Sequence, residues 1–347
     1  MSTSETTPQG TGKTTTAFGT QFAATAAVAT WADGAWSRPE LGPLQPLPMH
    51  PAAHVLHYGS TCFEGLKAHK AADGAVRLFR PDRHVVRMQR TAELLHLPVP
   101  DTELLHGMIV DTVRANLDEV PDQPGSLYVR PLLFGTEPNI GAAAAPSATA
   151  TLIVMNSPVG DYFAGGVRPL KLLVETVLPR TTPQFGEAKS GANYVMALGP
   201  TLRAKRELGV DQVLFAPGGD VQETGAANFL LLDDDRVVTR ALDSSFLHGV
   251  TRDSILTLAR DLGYEVDERE HLSIEEVLEW GARGGEAALS GTAAVLAGVG
   301  TLVVDGTEHA VHGGEVGPNT LRLRQALTDV HAGTADDAHG WLEVVKP

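Results

Sequence analysis

A mixed α/β fold in two domains is what this 347-residue sequence predicts. Three observations carry the prediction. The length exceeds what one hydrophobic core usually fills, and 43% hydrophobic content is ample for two. Short apolar or alternating runs, such as Val76-Arg77-Leu78-Phe79, Ala150-Thr151-Leu152-Ile153-Val154-Met155 and Gln212-Val213-Leu214-Phe215, read as strands. Between them stand segments with helical period and length, so the two element types intermix along the chain.

Residues 1–16 are mostly Ser, Thr, Gly and Gln, too polar to bury a core, and read as a disordered tail. A smaller N-terminal domain is expected over residues 17–157, its folded part opening near Phe18. Prolines at 39, 43, 46, 48 and 51 forbid regular helix between Trp36 and Pro51. They leave an extended, turn-rich approach to His54-Val55-Leu56-His57-Tyr58-Gly59. The strand Val76 to Phe79 leads into a helix from Pro81 to Leu95, with Pro81 at an N-terminal position where a missing N–H leaves nothing unpaired. Glu103 to Leu117 is a second helix, and Leu127 to Arg130 and Ala150 to Met155 are strands of the same domain. Residues 158–169 read as the connecting segment, and 170–347 as the larger C-terminal domain. There, Leu170 to Val177 is a strand, Asn193 to Leu208 a helix, and Gln212 to Phe215 a strand turned by Pro217-Gly218-Gly219-Asp220. Phe229 to Leu232 continues the sheet. Thr251 to Leu262 is a helix whose start at Gly249-Val250-Thr251 exposes backbone N–H groups beside a helix dipole, a cradle for phosphate.

Composition narrows the partners. A net charge of -15 repels nucleic acid, and no apolar run approaches the roughly twenty residues of a membrane span. The Ala-rich stretch from Phe22 to Val28 lacks the basic flank of a signal peptide. One cysteine, Cys62, excludes an internal disulfide framework, and no Asn-x-Ser/Thr acceptor occurs, so a cytoplasmic enzyme acting on small molecules is expected. Gly10-Thr11-Gly12-Lys13-Thr14 imitates a P-loop but has Thr7 where the motif needs glycine. His50, His54 and His57 have the spacing of metal ligands only on a helix, which Pro48 and Pro51 oppose, so no metal site is expected.

Of seven lysines, Lys189 alone has a setting that invites chemistry. It lies in Phe185-Gly186-Glu187-Ala188-Lys189-Ser190-Gly191-Ala192-Asn193-Tyr194, where small neighbours let a flat, bulky partner approach the backbone. A lysine in a partly dry pocket forms a Schiff base with an aldehyde, the way pyridoxal phosphate is held. Such an enzyme also needs a carboxylate for the pyridine nitrogen, a phosphate cradle, and donors for the substrate carboxylate. The second half of the chain offers them in order: Glu223 in Gln222-Glu223-Thr224-Gly225-Ala226-Ala227-Asn228, the helix start at Gly249 to Thr251, and the small-residue turn Ser290-Gly291-Thr292-Ala293-Ala294.

These residues resemble the class IV, fold type IV pyridoxal phosphate enzymes, and among them the branched-chain amino acid aminotransferases, from Phe18 to Trp341. Further motifs carry the resemblance: Leu56-His57-Tyr58-Gly59 with Phe63-Glu64-Gly65, Leu78-Phe79-Arg80-Pro81, Leu127-Tyr128-Val129-Arg130-Pro131, Gly249-Val250-Thr251-Arg252 and His339-Gly340-Trp341. The resemblance implies two α/β domains with pyridoxal 5'-phosphate between them, and a homodimer in which the partner subunit helps to close each site. It implies that Lys189 is the Schiff-base lysine and proton shuttle, that Glu223 pairs with the pyridine nitrogen, and that Tyr194 bonds the phenolic oxygen. Arg87, the N–H groups of Val250 and Thr251 and the Thr292 hydroxyl would bind phosphate. Tyr128, Arg130 and the turn at Thr292 and Ala293 would hold the substrate α-carboxylate. Phe18, Tyr58, Phe63 and Tyr162 would wall the side-chain pocket, beside Ala226 and Ala227.

The implied reaction is a ping-pong transfer of the amino group of leucine, isoleucine or valine to 2-oxoglutarate, giving the 2-oxo acid and glutamate. Its direction follows metabolite levels. Ala226-Ala227 stand where relatives often carry Thr-Met or Gly-Met, which enlarges the pocket, and His248 replaces a common proline. The alternatives are a D-amino acid aminotransferase or aminodeoxychorismate lyase on the same fold, an aminotransferase with a shifted substrate, and a catalytically silent binding protein.

Overall fold

A computed structural model describes residues 18–161 and 167–347; the expected tail and Tyr162 lie outside the described residues. The chain begins with β1 (Thr25–Ala32), β2 (Ala35–Trp36), β3 (Glu40–Pro43), α1 (His54–Tyr58), β4 (Thr61–Phe63), β5 (Leu66–Lys70) and β6 (Val76–Phe79). Then follow α2 (Pro81–Leu94), α3 (Thr102–Ala115), β7 (Ser126–Gly135), β8 (Ala150–Val159), β9 (Leu170–Glu175), α4 (Gly191–Leu208), β10 (Gln212–Phe215), β11 (Asn228–Leu232) and β12 (Arg236–Arg240). The remainder is α5 (Val250–Asp261), β13 (Glu265–Arg269), α6 (Ile274–Ala282), β14 (Glu286–Gly291), β15 (Val295–Val304), β16 (Thr307–Ala310), α7 (Pro318–Ala332) and β17 (Leu342–Val345).

These elements build two sheets. The first runs β17-β6-β5-β7-β8-β1-β2, with β3 on β1 and β4 on β7, and its pairings are antiparallel. The second is mixed, in the order β10-β9-β15-β14-β11-β12-β13, with β16 on β15. Helices α2 and α3 cover one face of the first sheet, setting Met88, Leu105, Met108 and Ile109 against Leu66, Leu127 and Leu152. The second sheet is covered on both faces, which is why β11 is apolar without alternation. Phe229 and Leu231 face Val277 and Trp280 of α6, whereas Leu230 and Leu232 face Ile255 of α5 and Leu323 of α7.

Local pattern and structure part company in three places. His54–Tyr58, in the stretch where Pro48 and Pro51 read as opposing a helix, forms one helical turn after Pro51 and stops at Gly59, whose φ of 64° is left-handed. β7 continues through Pro131, because the missing N–H falls at the break between β4 and β5, where the Glu64 N–H donates to the Pro131 carbonyl at 2.9 Å. β8 includes Pro158 and Val159, assigned from the sequence to the connecting segment. Beyond Val154 it has β7 alone as strand partner, so a proline there breaks no ladder on the other side.

The last strand returns to the first sheet, as β17 pairs with β6. That return brings Trp341 edge-on to Phe79 at 5.7 Å, and both pack into the core under α5 and α7. Phe79 is therefore a hinge pin between the sheets. Replacing it with Ala is expected to lower unfolding free energy by about 3–5 kcal/mol, read as a shifted urea denaturation midpoint.

Candidate active site

Lys189 sits immediately before α4, on a backbone tied from three directions. Its N–H donates to the Thr91 hydroxyl at 3.2 Å, and its carbonyl accepts from the Phe63 N–H at 3.1 Å. The buried Asn193 amide donates to the Phe185 and Ala188 carbonyls at 2.9 and 2.7 Å, fixing the loop ahead of the lysine. Gly186 is required here, since a Cβ would fall 2.0 Å from the Ser245 carbonyl. The Lys189 Nζ donates to the Tyr194 hydroxyl at 2.7 Å, one helical turn into α4, and lies 5.0 Å from the Phe63 ring centroid.

Glu223 is buried beneath this pair, 1% exposed. It accepts from the Leu247 N–H at 2.9 Å and the Asn228 amide at 3.2 Å, and lies 2.7 Å from an Arg180 Nη. Burial raises its carboxyl above the ordinary value, while Arg180, the Leu247 N–H and the more distant Lys189 and Arg87 charges work the other way. The Arg180 guanidinium also lies 5.5 Å from the Tyr194 ring centroid, linking the carboxylate to the phenol. Arg180 gave no sequence signal, being a lone cation between Pro179 and Thr181.

On the other side, α2 faces the start of α5 across a cavity of about 190 Å³ lined by Arg83, Arg87, Arg90, His248, Gly249 and Val250. Gly249 caps α5 without a side-chain bond, unlike Asp101 on α3 or Ser273 on α6, so the first N–H groups of the helix have no side-chain acceptor. Arg87 is aimed at that start: it donates to the His248 carbonyl at 3.0 Å. It also grips buried Glu64 in a two-pronged pair at 2.6 and 2.8 Å, and Glu64 accepts from His84 at 2.7 Å. Burial alone would raise the Glu64 carboxyl, but Arg87 and His84 outweigh it and hold it well below the usual carboxylate range. Glu64 and His84 were invisible as site residues, although Glu64 lies inside a recognised motif. Thr251 and Thr292 share a small void of about 10 Å³ beside His84.

Tyr128 and Arg130 project from β7 toward the same cleft. Arg130 donates to the Tyr128 hydroxyl at 2.9 Å, stacks 4.6 Å from the Phe63 centroid, and keeps a buried Nε without a protein partner. Gly65 makes room for Tyr128, since a Cβ there would lie 1.8 Å from its hydroxyl. Phe18 meets Tyr128 edge-on at 5.1 Å, and Phe63 meets Tyr194 at 5.2 Å. Ala226 and Ala227 back onto Gly291, next to Thr292, and the Ala293 carbonyl accepts from Lys67 at 3.1 Å. Tyr58 is not brought to this group. It packs on His54 at 4.9 Å and donates to the Ile140 carbonyl. The three histidines considered as metal ligands turn to separate partners: His50 to the Ala52 N–H, His54 to Ser60, His57 to the Pro51 carbonyl.

Glu64→Gln leaves the Arg87 guanidinium buried without its counter-charge, and should cost roughly 3–5 kcal/mol of stability at pH 7 by chemical denaturation. A carboxyl held low in the fold contributes above its unfolded value of 4.5 and loses that contribution as pH falls toward its folded value. The gap between wild type and variant should therefore be full at neutral pH, begin to shrink below about pH 4.5 and close only in strong acid.

Comparison with known proteins gives the site its context. The class IV amino-transferase family matches residues 61–300. A probable branched-chain-amino-acid aminotransferase of Streptomyces coelicolor is 37% identical, the match covering 94% of this chain and 92% of that protein. Branched-chain-amino-acid aminotransferase 2 of Bacillus subtilis is 36% identical over 90% of this chain and 87% of its own. Among solved structures, the branched-chain amino acid aminotransferase of the archaeon Thermoproteus uzoniensis with norvaline superposes with a TM-score of 0.73 at 25% identity, covering 92% of this chain and 100% of that one. The Escherichia coli branched-chain amino acid aminotransferase gives 0.72 at 29% identity, covering 92% and 100%. The two-sheet architecture is that of fold type IV, and the chain belongs to the class IV aminotransferases.

Proposed function

We propose that this enzyme carries pyridoxal 5'-phosphate on Lys189 and transfers the amino group of branched-chain L-amino acids to 2-oxoglutarate. One observation carries the reading: the Lys189 amine meets the Tyr194 phenol at 2.7 Å, between a buried carboxylate and an arginine aimed at an uncapped helix start. That donor set fits the cofactor. Its ring nitrogen needs Glu223, its phenolic oxygen Tyr194, and its phosphate the Arg87 guanidinium, the N–H groups of Val250 and Thr251 and the Thr292 hydroxyl. When bound, the cofactor supplies an aldehyde for the amine and a ring that withdraws electrons from the substrate Cα.

The chain's own groups do the rest. Glu223, kept in place by Arg180 and the Leu247 N–H, holds a positive charge on the ring nitrogen. Lys189, tethered beside the Tyr194 hydroxyl, would take the proton from the substrate Cα. Tyr128, Arg130 and the Thr292–Ala293 turn orient the α-carboxylate, while Phe18, Phe63 and Tyr128 exclude water from an aliphatic side chain. Small Ala226 and Ala227 leave width for branching.

A cytoplasmic homodimer belongs to this reading. Among the described residues no helix is long and apolar enough to cross a membrane. Exposed Val195, Leu198 and Leu202 form an apolar stripe on α4 that a second copy would cover, and Tyr58, turned from its own cleft, is 38% exposed.

Borohydride reduction of the holoenzyme followed by peptide mapping should find the cofactor on the peptide containing Lys189. Lys189→Ala should lower kcat by a factor on the order of 10²–10⁴. Activity with L-leucine should exceed that with D-alanine; the reverse would overturn the branched-chain assignment.

A further inference from the structure

The hairpin between β14 and β15 has an unusual closing residue. Gly291 pairs with Val295, so Thr292, Ala293 and Ala294 form a three-residue loop. Such hairpins commonly place a left-handed residue, ordinarily glycine, where the turn rejoins the strand. Here that residue is Val295, with φ 61°, the one β-branched residue with positive φ among the described residues. A β-branched side chain in that region is a backbone outlier that persists only where its surroundings over-determine it.

Two cations meet that requirement. Lys67 of β5 donates to the Ala293 carbonyl at 3.1 Å. Arg324 of α7 donates through one Nη to the Ala294 carbonyl and, at 2.9 Å, to the Leu296 carbonyl. Three carbonyls around the strained residue are therefore gripped from two directions, one donor coming from each sheet's layer. The Val295 side chain is itself buried among Leu230, Ile255 and Leu327, which stops it from turning outward. Lys67 occupies this place at a cost, since burial pushes its amine down to about 8, with Asp161 opposing and Arg324 adding to the shift.

We propose that Lys67 and Arg324 are positioning residues that hold the Thr292–Ala293 turn in the conformation that presents its N–H donors to the substrate carboxylate. This rests on the reading of that turn as the carboxylate site. Neither cation touches substrate; both act through the backbone of the turn. The conformation is supplied by charge on the carbonyls because the residue at the bend opposes it.

The test uses holoenzyme variants and two readouts, steady-state kinetics and amide exchange over residues 292–296. Lys67→Met and Arg324→Met should each raise KM for L-leucine and 2-oxoglutarate roughly tenfold, the scale of one charge-assisted hydrogen bond, with kcat within about twofold and cofactor absorbance retained. Amides of the turn should exchange faster, and Lys67→Arg should restore both readouts. Val295→Gly, which adopts positive φ without strain, should bring KM of the Lys67→Met enzyme back toward wild type. If Lys67→Met does not fold, Arg324→Gln with and without Val295→Gly reads the same coupling. Unchanged KM in the cation variants while Ala293→Pro, which removes a turn N–H, raises it, or no rescue by Val295→Gly, overturns the bracing role and leaves the carboxylate site intact. Unchanged KM in Ala293→Pro overturns the carboxylate site and the bracing role with it.

Discussion

Taking a carboxylate out of water costs several kcal/mol unless opposite charge and hydrogen bonds replace the lost hydration, and Glu223 meets that condition through Arg180 at 2.7 Å. The rest of the cleft follows outward from this pair. Asn228, which also bonds Glu223, presses against Gly249 so closely that a Cβ there would lie 2.1 Å from its side-chain oxygen. That contact sets where α5 begins. The start of α5 sets where Arg87 can point, since its guanidinium reaches the His248 carbonyl, and Arg80 locks α2 to α5 through Asp253 at 2.7 Å and Ser254 at 2.8 Å. Glu64 then holds the other edge of Arg87.

Buried ion pairs of this kind are weak sources of net stability compared with apolar packing, but they are directional. Glu64 and Glu223, the buried carboxylates described at this cleft, each have their own arginine, and each arginine makes a second contact, Arg180 against Tyr194 and Arg87 toward the helix start. The hydrophobic cores carry the stability, and the charge pairs fix orientation. The same division holds at the hairpin after β14, where core packing buries Val295 and two cations choose the conformation of its turn.

Much of the fold was legible because periodicity and local breakers act within a few residues. Gln212 to Phe215 is β10 as read, and α2 and α5 begin within a residue of the positions that Pro81 and Gly249 announce. The lengths of β7 and β8 were not legible. Proline is a ladder breaker in isolation, and only the partner strands reveal that Pro131 falls at a gap and Pro158 beyond the reach of β1. Lys189 stood out through its small neighbours and Tyr194 through the family resemblance, whereas Arg180 and His84 did not stand out, because a charged residue buried by tertiary contacts looks in sequence like one on the surface.

By itself the sequence determined the class of chemistry. A lysine framed by small residues, a carboxylate after a turn, a glycine-led helix start and a small-residue hairpin are local features, and local features survive without a fold around them. Tertiary structure decided which charge answers which: Glu64 rather than solvent for Arg87, Arg180 for Glu223, Lys67 and Arg324 for the hairpin carbonyls, and Ile140 rather than the cleft for Tyr58. The reason is distance along the chain. Pairing energies depend on separation and local dielectric, and both are set by residues tens to hundreds of positions away.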